Sequence, residues 1–105
     1  MMDLNEKLYE QLLHGDKPLL VEYWAPWCVY CRRIVPAMEQ LAKRQGERVH
    51  VGRINIDDFP DLAQRERIEV VPTLVLYHRG DALGSIVAPE SRSRIEEFLD
   101  DYLEN

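Results

Sequence analysis

The run LLVEYWA, Leu19 to Ala25, leaves few architectures open. It is short, and as an extended chain it carries apolar side chains on both faces, with Glu22 its single charge. Such a strand must be covered on two sides, so it belongs at the centre of a sheet with helices above and below. The neighbouring segments supply the covering. Leu4, Leu8 and Leu12, with Tyr9 and Leu13 beside them, recur at helical spacing after Asp3 as the expected cap, and HGDKP ends that helix. Ile34, Met38, Leu41 and Ala42 predict a second helix that ends near Gly46 and is bent by Pro36 inside it. VHVGRINI reads as another strand, after which Pro60 opens a short helix carrying Leu62 and Ala63. TLVLYHRGDALGSIVA gives two strand-like runs around a turn at Gly80, an antiparallel hairpin. Ile95, Phe98, Leu99, Tyr102 and Leu103 form the apolar face of a last helix, with Ser93 and Glu96 spaced as a capping box. Glu97, Asp100, Asp101 and Glu104 lie on its solvent side. The expected fold class is α/β, a central mixed sheet of about four strands flanked by helices on both faces. With no internal repeat or Gly/Ser linker, residues 1–105 are expected to form one domain.

Charge and cysteine usage narrow the function. A net charge of -6 argues against non-specific binding to nucleic acid or to anionic membranes. No apolar run approaches the roughly 18 to 20 residues that span a bilayer, and the N-terminus lacks a basic region followed by an apolar stretch, so a cytoplasmic location is expected. Two cysteines are too few for a disulfide-stapled secreted scaffold, and a chain of 105 residues can build a core without staples. The pair is therefore expected to be reactive. Ten of the 13 basic residues are arginine, which base composition or heat adaptation explains as readily as anion recognition.

Both cysteines fall in VEYWAPWCVYCRR, directly after the central strand. The spacing admits a dithiol that cycles with a disulfide, half of a metal site, or two neighbouring core residues. With Cys28 at the start of the following helix, unpaired N–H groups and the positive end of the helix dipole favour its thiolate. Arg32 and Arg33 add positive potential, so a thiol pKa lowered by about one to two units from ~8.5 is expected. Cys28 is then the exposed attacking sulfur. Cys31, one turn further in, is the shielded thiol that resolves a mixed disulfide, and two intervening residues let the sulfurs meet. A metal site needs about four ligands, and His14, His50 and His78 stand apart from the pair, so neither metal nor cofactor is expected.

Glu22 shares a strand face with Leu20 and Trp24. Burial there raises its pKa and makes it a proton acceptor for Cys31 through water; the alternative is an edge glutamate reaching solvent. Asp57 and Asp58 before Pro60 read as helix caps, and His78 as a surface residue at a strand end. From the residues alone the Val71–Pro72 bond is expected to be trans.

Taken together, LLVEYWAPWCVYC, Pro36 in the next helix, RINID at Arg53 to Asp57, VVPTLVLYHRG and the amphipathic last helix resemble the thioredoxin family over nearly the whole chain. The resemblance implies a thioredoxin fold, Cys28 as nucleophile, Cys31 as resolving thiol and Glu22 in place of the family's buried carboxylate. It makes Pro72 a cis-proline and Val71 the residue that pairs with substrate. Trp27 takes the place of the tryptophan packed beside the nucleophile, Trp24 of its buried neighbour, and Arg53 of a lysine near the buried acid, so a Glu22–Arg53 interaction is expected. Three departures stand out. Val29-Tyr30 replaces the usual Gly-Pro between the cysteines, which implies a weaker reductant. Ala88 replaces a groove glycine, where a methyl crowds a docking backbone. The extra N-terminal strand is expected to be absent.

The implied function is a thiol–disulfide oxidoreductase that reduces protein disulfides and is recharged by an electron donor of the thioredoxin-reductase type. A monomer is expected. Two alternatives stay open: an oxidant or isomerase of the same fold, and a module whose disulfide state controls docking of a partner at Trp27, Val71 and Ala88.

Overall fold

The computed structural model describes residues 1–103. Five strands form one open mixed sheet in the order β1-β3-β2-β4-β5: β1 is Met2–Asp3, β2 Leu19–Trp24, β3 His50–Asn55, β4 Thr73–His78 and β5 Asp81–Val87. β1, β3 and β2 run parallel, while β4 is antiparallel to β2, and β5 to β4. The α/β class with helices on both faces stands, but the count of four strands is corrected to five. Met2 and Asp3 pair with Gly52 and Arg53, so the N-terminal strand is present, cut to two residues. Because Asp3 is taken up in that pairing, the first helix, α1 (Glu6–Leu13), starts later than expected. Its cap is Asn5, whose Oδ1 accepts the Leu8 N–H at 2.8 Å.

Alternation along β2 feeds two apolar layers. Leu20 joins Val51, Leu74 and Leu76 under Ile34, Met38 and Leu41 and the last helix's Ile95, Phe98 and Leu99. Leu19, Val21 and Tyr23 join Ile54, Val75 and Tyr77 under Tyr9, Leu13 and Leu62. The central position expected for this strand follows from its burial on both faces: Leu19 through Tyr23 are all buried.

Pro36 does more than bend a helix. It divides the segment into α2 (Val29–Arg33) and α3 (Val35–Gln45), with Ile34 between them and Pro36 in the first turn of α3. A proline has no N–H to donate to the preceding turn, so the break falls where that bond would have been. Pro60 likewise opens α4 (Pro60–Arg65). Gly80, at φ +90°, makes the hairpin turn between β4 and β5.

The last helix, α5 (Arg92–Tyr102), is capped by Ser91, whose hydroxyl accepts the Arg94 N–H at 3.1 Å; Ser93 lies inside the helix and makes no box with Glu96. Glu96 instead accepts from Arg44 Nε at 3.0 Å and Gln45 Nε2 at 2.9 Å, tying α5 to α3. Tyr102 is also corrected. It is 44% exposed, because it lies over Gly84 on β5, the edge strand among the described residues. Glu97, Asp100 and Asp101 are exposed, and Glu104 lies outside the described residues. Among the described residues no helix is long and apolar enough to cross a membrane.

Candidate active site

β2 delivers the chain to the carboxyl end of the sheet, between its parallel neighbour β3 and its antiparallel neighbour β4, where crevices form in α/β sheets. There Ala25, Cys28 and Cys31 make a small buried cluster, against which Trp24, Tyr30, Ile56 and Val71 pack. Cys28 is the cap residue of α2, with extended backbone, and its Sγ accepts the Cys31 N–H at 3.1 Å. That single N–H is one of the unpaired donors of the helix start, directed at the sulfur on which a thiolate charge would sit. The two cysteines are joined as a disulfide with their Cα atoms 5.2 Å apart. Cys28 is less open than expected: 8% exposed, against 2% for Cys31. Trp27 (64%) and Val29 (54%) make the exposed rim instead, and Arg32 and Arg33 are exposed in the last turn of α2.

Two further loops close around the sulfurs. The Val71–Pro72 peptide bond is cis, against the expectation from the residues alone and as the resemblance implied. It brings the Val71 carbonyl oxygen to 3.7 Å from Cys28 Sγ. The Pro72 carbonyl accepts the Ala88 N–H at 2.9 Å, and Ala88, exposed, has φ +44°, a backbone that favours glycine. The Tyr30 hydroxyl donates to the Pro89 carbonyl at 2.9 Å, so the residue between the cysteines is bonded to the loop after β5. Beside the disulfide a groove of about 290 Å³ is lined by Trp27, Ile56, Ile68, Glu69, Val70 and Val71.

Glu22 is fully buried, which removes the reading of an edge glutamate. Neither of its carboxyl oxygens has a hydrogen-bond partner among the described residues. Burial therefore pushes its pKa from 4.5 up to about 7, with Arg53 pulling the other way. The Glu22–Arg53 interaction is electrostatic only: Arg53 Nε donates to Asp3 Oδ1 at 2.7 Å, and its guanidinium carbon lies 4.3 Å from the centre of the Trp24 ring. Trp24 is thus half-buried rather than buried, one side on the sulfur cluster and the other under Arg53.

The structure gathers Cys28, Cys31, Trp24, Tyr30 and Val71 around the sulfurs, with Trp27 and Val71 on the groove and Pro72 holding Ala88. Four participants had other readings or none in the sequence. Asp57 caps nothing: it accepts the Trp27 indole N–H at 3.3 Å, and Phe59 stands at the cap position of α4. Its place at the carboxyl end of β3, beside that of β2, was the available signal. Asp3, read as a helix cap, bonds Arg53 instead, while Pro89 and Val70 carry no chemical mark in the sequence and enter through folding alone. His78 lies away from the sulfurs, its Nε2 3.1 Å from the Asp16 carbonyl.

Comparison with known proteins agrees with this geometry. A family model described as Thioredoxin matches residues 1–101. The chain is 32% identical over 103 residues to a thioredoxin of Alicyclobacillus acidocaldarius subsp. acidocaldarius, covering 98% of both chains. It is 33% identical over 99 residues to one of Buchnera aphidicola subsp. Acyrthosiphon pisum, covering 94% of this chain and 92% of that one. It is also 38% identical over 93 residues to the chloroplastic thioredoxin M4 of Arabidopsis thaliana, covering 89% of this chain and 48% of the other. A disulfide between two cysteines at a helix start, beside a cis-proline, on a sheet matched by that family over almost its whole length leads to one conclusion: the chain belongs to the thioredoxin family and is a thiol–disulfide oxidoreductase.

Proposed function

We propose that the protein works as a reductase of protein disulfides, residues 1–105 acting as one monomeric domain. The observation that carries this is Cys28 Sγ held at the start of α2 by the Cys31 N–H, with the Val71 carbonyl 3.7 Å away on the other side. In the reduced state the Cys28 thiolate attacks one sulfur of a substrate disulfide. That S–S bond breaks, a mixed disulfide forms, and one substrate thiolate leaves and takes up a proton. An extended substrate chain pairs with the backbone of Val71, its flanking side chains meeting Trp27 and Val70. Cys31 then gives its proton to the Glu22 carboxylate and attacks Cys28 Sγ, releasing the second substrate thiolate and leaving the disulfide present in the structure. Two electrons have passed to the substrate, and an external dithiol donor of the thioredoxin-reductase type restores the pair.

Val29 and Tyr30 set the potential, Ala88 narrows the groove, and Pro72 fixes Val71 toward the sulfur. Arg32 and Arg33 add positive charge near the thiolate. The activity suits a compartment that keeps thiols reduced, and the cytoplasm is our reading.

Two measurements test this. Incubated with a protein disulfide, Cys31→Ser should accumulate a mixed disulfide on Cys28, and Cys28→Ser should accumulate none; trapping on Cys31 would reverse the roles. Equilibration against glutathione should give a potential near the thioredoxin value of about -270 mV, whereas one near the isomerase value of about -180 mV would make the protein an oxidant or isomerase.

A further inference from the structure

Asp3, Arg53 and Glu22 form one row across the sheet. Asp3 is the register partner of Arg53 on β3, and Arg53 that of Glu22 on β2. Partners in parallel strands project to the same side, so a cation stands between two carboxyl groups, one at the edge and one in the interior. It is drawn to the edge. Arg53 Nε lies 2.7 Å from Asp3 Oδ1, its guanidinium rests on Trp24, and the Glu22 oxygens are left without a partner among the described residues. The Asp3 side chain is 78% exposed and that of Arg53 24%. A polar hollow of about 220 Å³, lined among others by Asp3, Trp24, Arg53, Asn55 and Asp58, opens beside them.

We propose that Asp3 is a positioning residue for the exchange reaction: it holds the Arg53 guanidinium at the sheet edge and so leaves Glu22 free to take up and return the proton of Cys31. This rests on Glu22 being the proton acceptor of the proposed mechanism. A carboxylate in direct contact with an arginine loses about one to three units of pKa, so a guanidinium that spends even part of its time against Glu22 lowers its affinity for the proton. Asp3 prevents that contact from two strand spacings away, about 10 Å, by occupying the cation's donors. The other surroundings of Glu22 offer no substitute. β4 places Leu74 opposite it, Leu20 and Trp24 flank it on β2, and the helices on this face contribute Ile34 and Met38. Cys31 lies in the cluster on which Trp24 packs, and Asp58 shares the hollow with Arg53; Arg53 is the charge that acts on Glu22. A two-residue strand thereby serves the chemistry of the sheet's centre.

Infrared difference titration of the reduced protein tests this by following the carbonyl stretch of the protonated Glu22 carboxyl, assigned by its loss in Glu22→Gln. At low salt, Asp3→Asn should lower the midpoint by about half a pH unit, the scale of an exposed ion pair, and added salt should shrink the difference. In an Arg53→Gln background Asp3→Asn should move nothing. A midpoint unchanged in Asp3→Asn overturns the proposal, and so does a shift of equal size with and without Arg53, because Asp3 would then act by its own field. The underlying reading fails separately: if the pH profile of single-turnover reduction is the same in Glu22→Gln as in the wild type, Glu22 is no proton acceptor, whatever the infrared midpoint does.

Discussion

Glu22 and Tyr23 are consecutive residues of β2, both wholly buried and both polar at the tip, and the strand sends them to opposite faces. Tyr23 enters a complete circuit. Its hydroxyl lies 2.6 Å from that of Tyr77, which donates to Glu66 Oε1 at 2.7 Å, and the Tyr9 ring packs edge-on to Tyr77 at 5.7 Å. Burial raises all three phenols, so they stay neutral and act only through hydrogen bonds. Glu22 has no such partner among the described residues, although an unpartnered buried polar group costs several kcal/mol. The circuit lies on the α1 and α4 side, and the lone carboxyl on the side whose next residue, Trp24, packs on the sulfurs. The contrast teaches that the two faces of one strand treat a buried polar tip differently: on the α1 and α4 side it is hydrogen-bonded, and on the side of the sulfurs the Glu22 carboxyl is left without a partner among the described residues.

The largest effect should come from Glu22. Its pKa in the folded, oxidised protein is about 7 against 4.5 ordinarily, so between those values the folded state holds a proton that the unfolded chain has released. Stability is then full below about pH 4.5 and falls as pH rises through 7, by about 3 kcal/mol in all. Urea melts at pH 5 and pH 8 should show this loss in the wild type and not in Glu22→Gln, which should be the more stable of the two at pH 8. Equal pH dependence in both proteins would erase the contrast between the two faces.

Next comes Tyr77→Phe. It strands the Tyr23 hydroxyl and one oxygen of Glu66 together, so a loss of about 2 kcal/mol is expected. The rate of disulfide reduction measured on the folded protein should be unchanged. A fall in that rate at constant pH would place chemistry on the face read as structural.

Both residues of this comparison lay in the sequence segment first read as a two-faced strand, and their different roles were unequally legible there. A charge at Glu22 in an apolar strand is visible in one dimension, because burial of a carboxyl is costly wherever it occurs. The circuit was not, since Tyr23, Glu66 and Tyr77 look like a strand aromatic, a helix-end charge and another strand aromatic until the antiparallel pairing of β2 with β4 brings them together. Local rules also chose between near neighbours wrongly: Asp3 and Ser93 both suit a cap, yet Asn5 and Ser91 hold the positions, because strand pairing consumed Asp3 and α5 begins at Arg92. The reactive pair was legible because two cysteines at one helix turn follow from spacing. The cis bond at Pro72 was reached only through the family resemblance, and the hydrogen bond from Tyr30 to Pro89 depends on a contact between segments distant in sequence.

That last contact gives a third phenol to weigh against the other two. Tyr30 has one hydrogen bond, to a backbone carbonyl of the loop that carries Ala88, and packs partly on the sulfur cluster. Tyr30→Phe should cost about 1 kcal/mol in a thermal melt. It should raise KM for a protein disulfide while leaving kcat for a small aromatic disulfide in place, since the hydroxyl holds the loop after β5 and touches no reacting sulfur. An equal effect on both substrates would assign Tyr30 to the chemistry.

The smallest effect belongs to Tyr23→Phe, and its size follows from the direction of the circuit. Glu66 can accept but not donate when ionised, so the Tyr77 proton points to Glu66 and the 2.6 Å contact must run from the Tyr23 hydroxyl to the Tyr77 oxygen. Removing the Tyr23 hydroxyl therefore strands no donor: Tyr77 still reaches Glu66 and loses only an incoming bond to its oxygen. The expected cost is about 0.5–1 kcal/mol, below that of Tyr77→Phe by a factor of two or more. In the double variant the second substitution should recover part of the loss, because it removes the Tyr23 hydroxyl that Tyr77→Phe leaves stranded. Additive losses in a urea double-mutant cycle would mean that the two hydroxyls are satisfied independently, and the face opposite Glu22 would then be a set of separate contacts instead of one circuit.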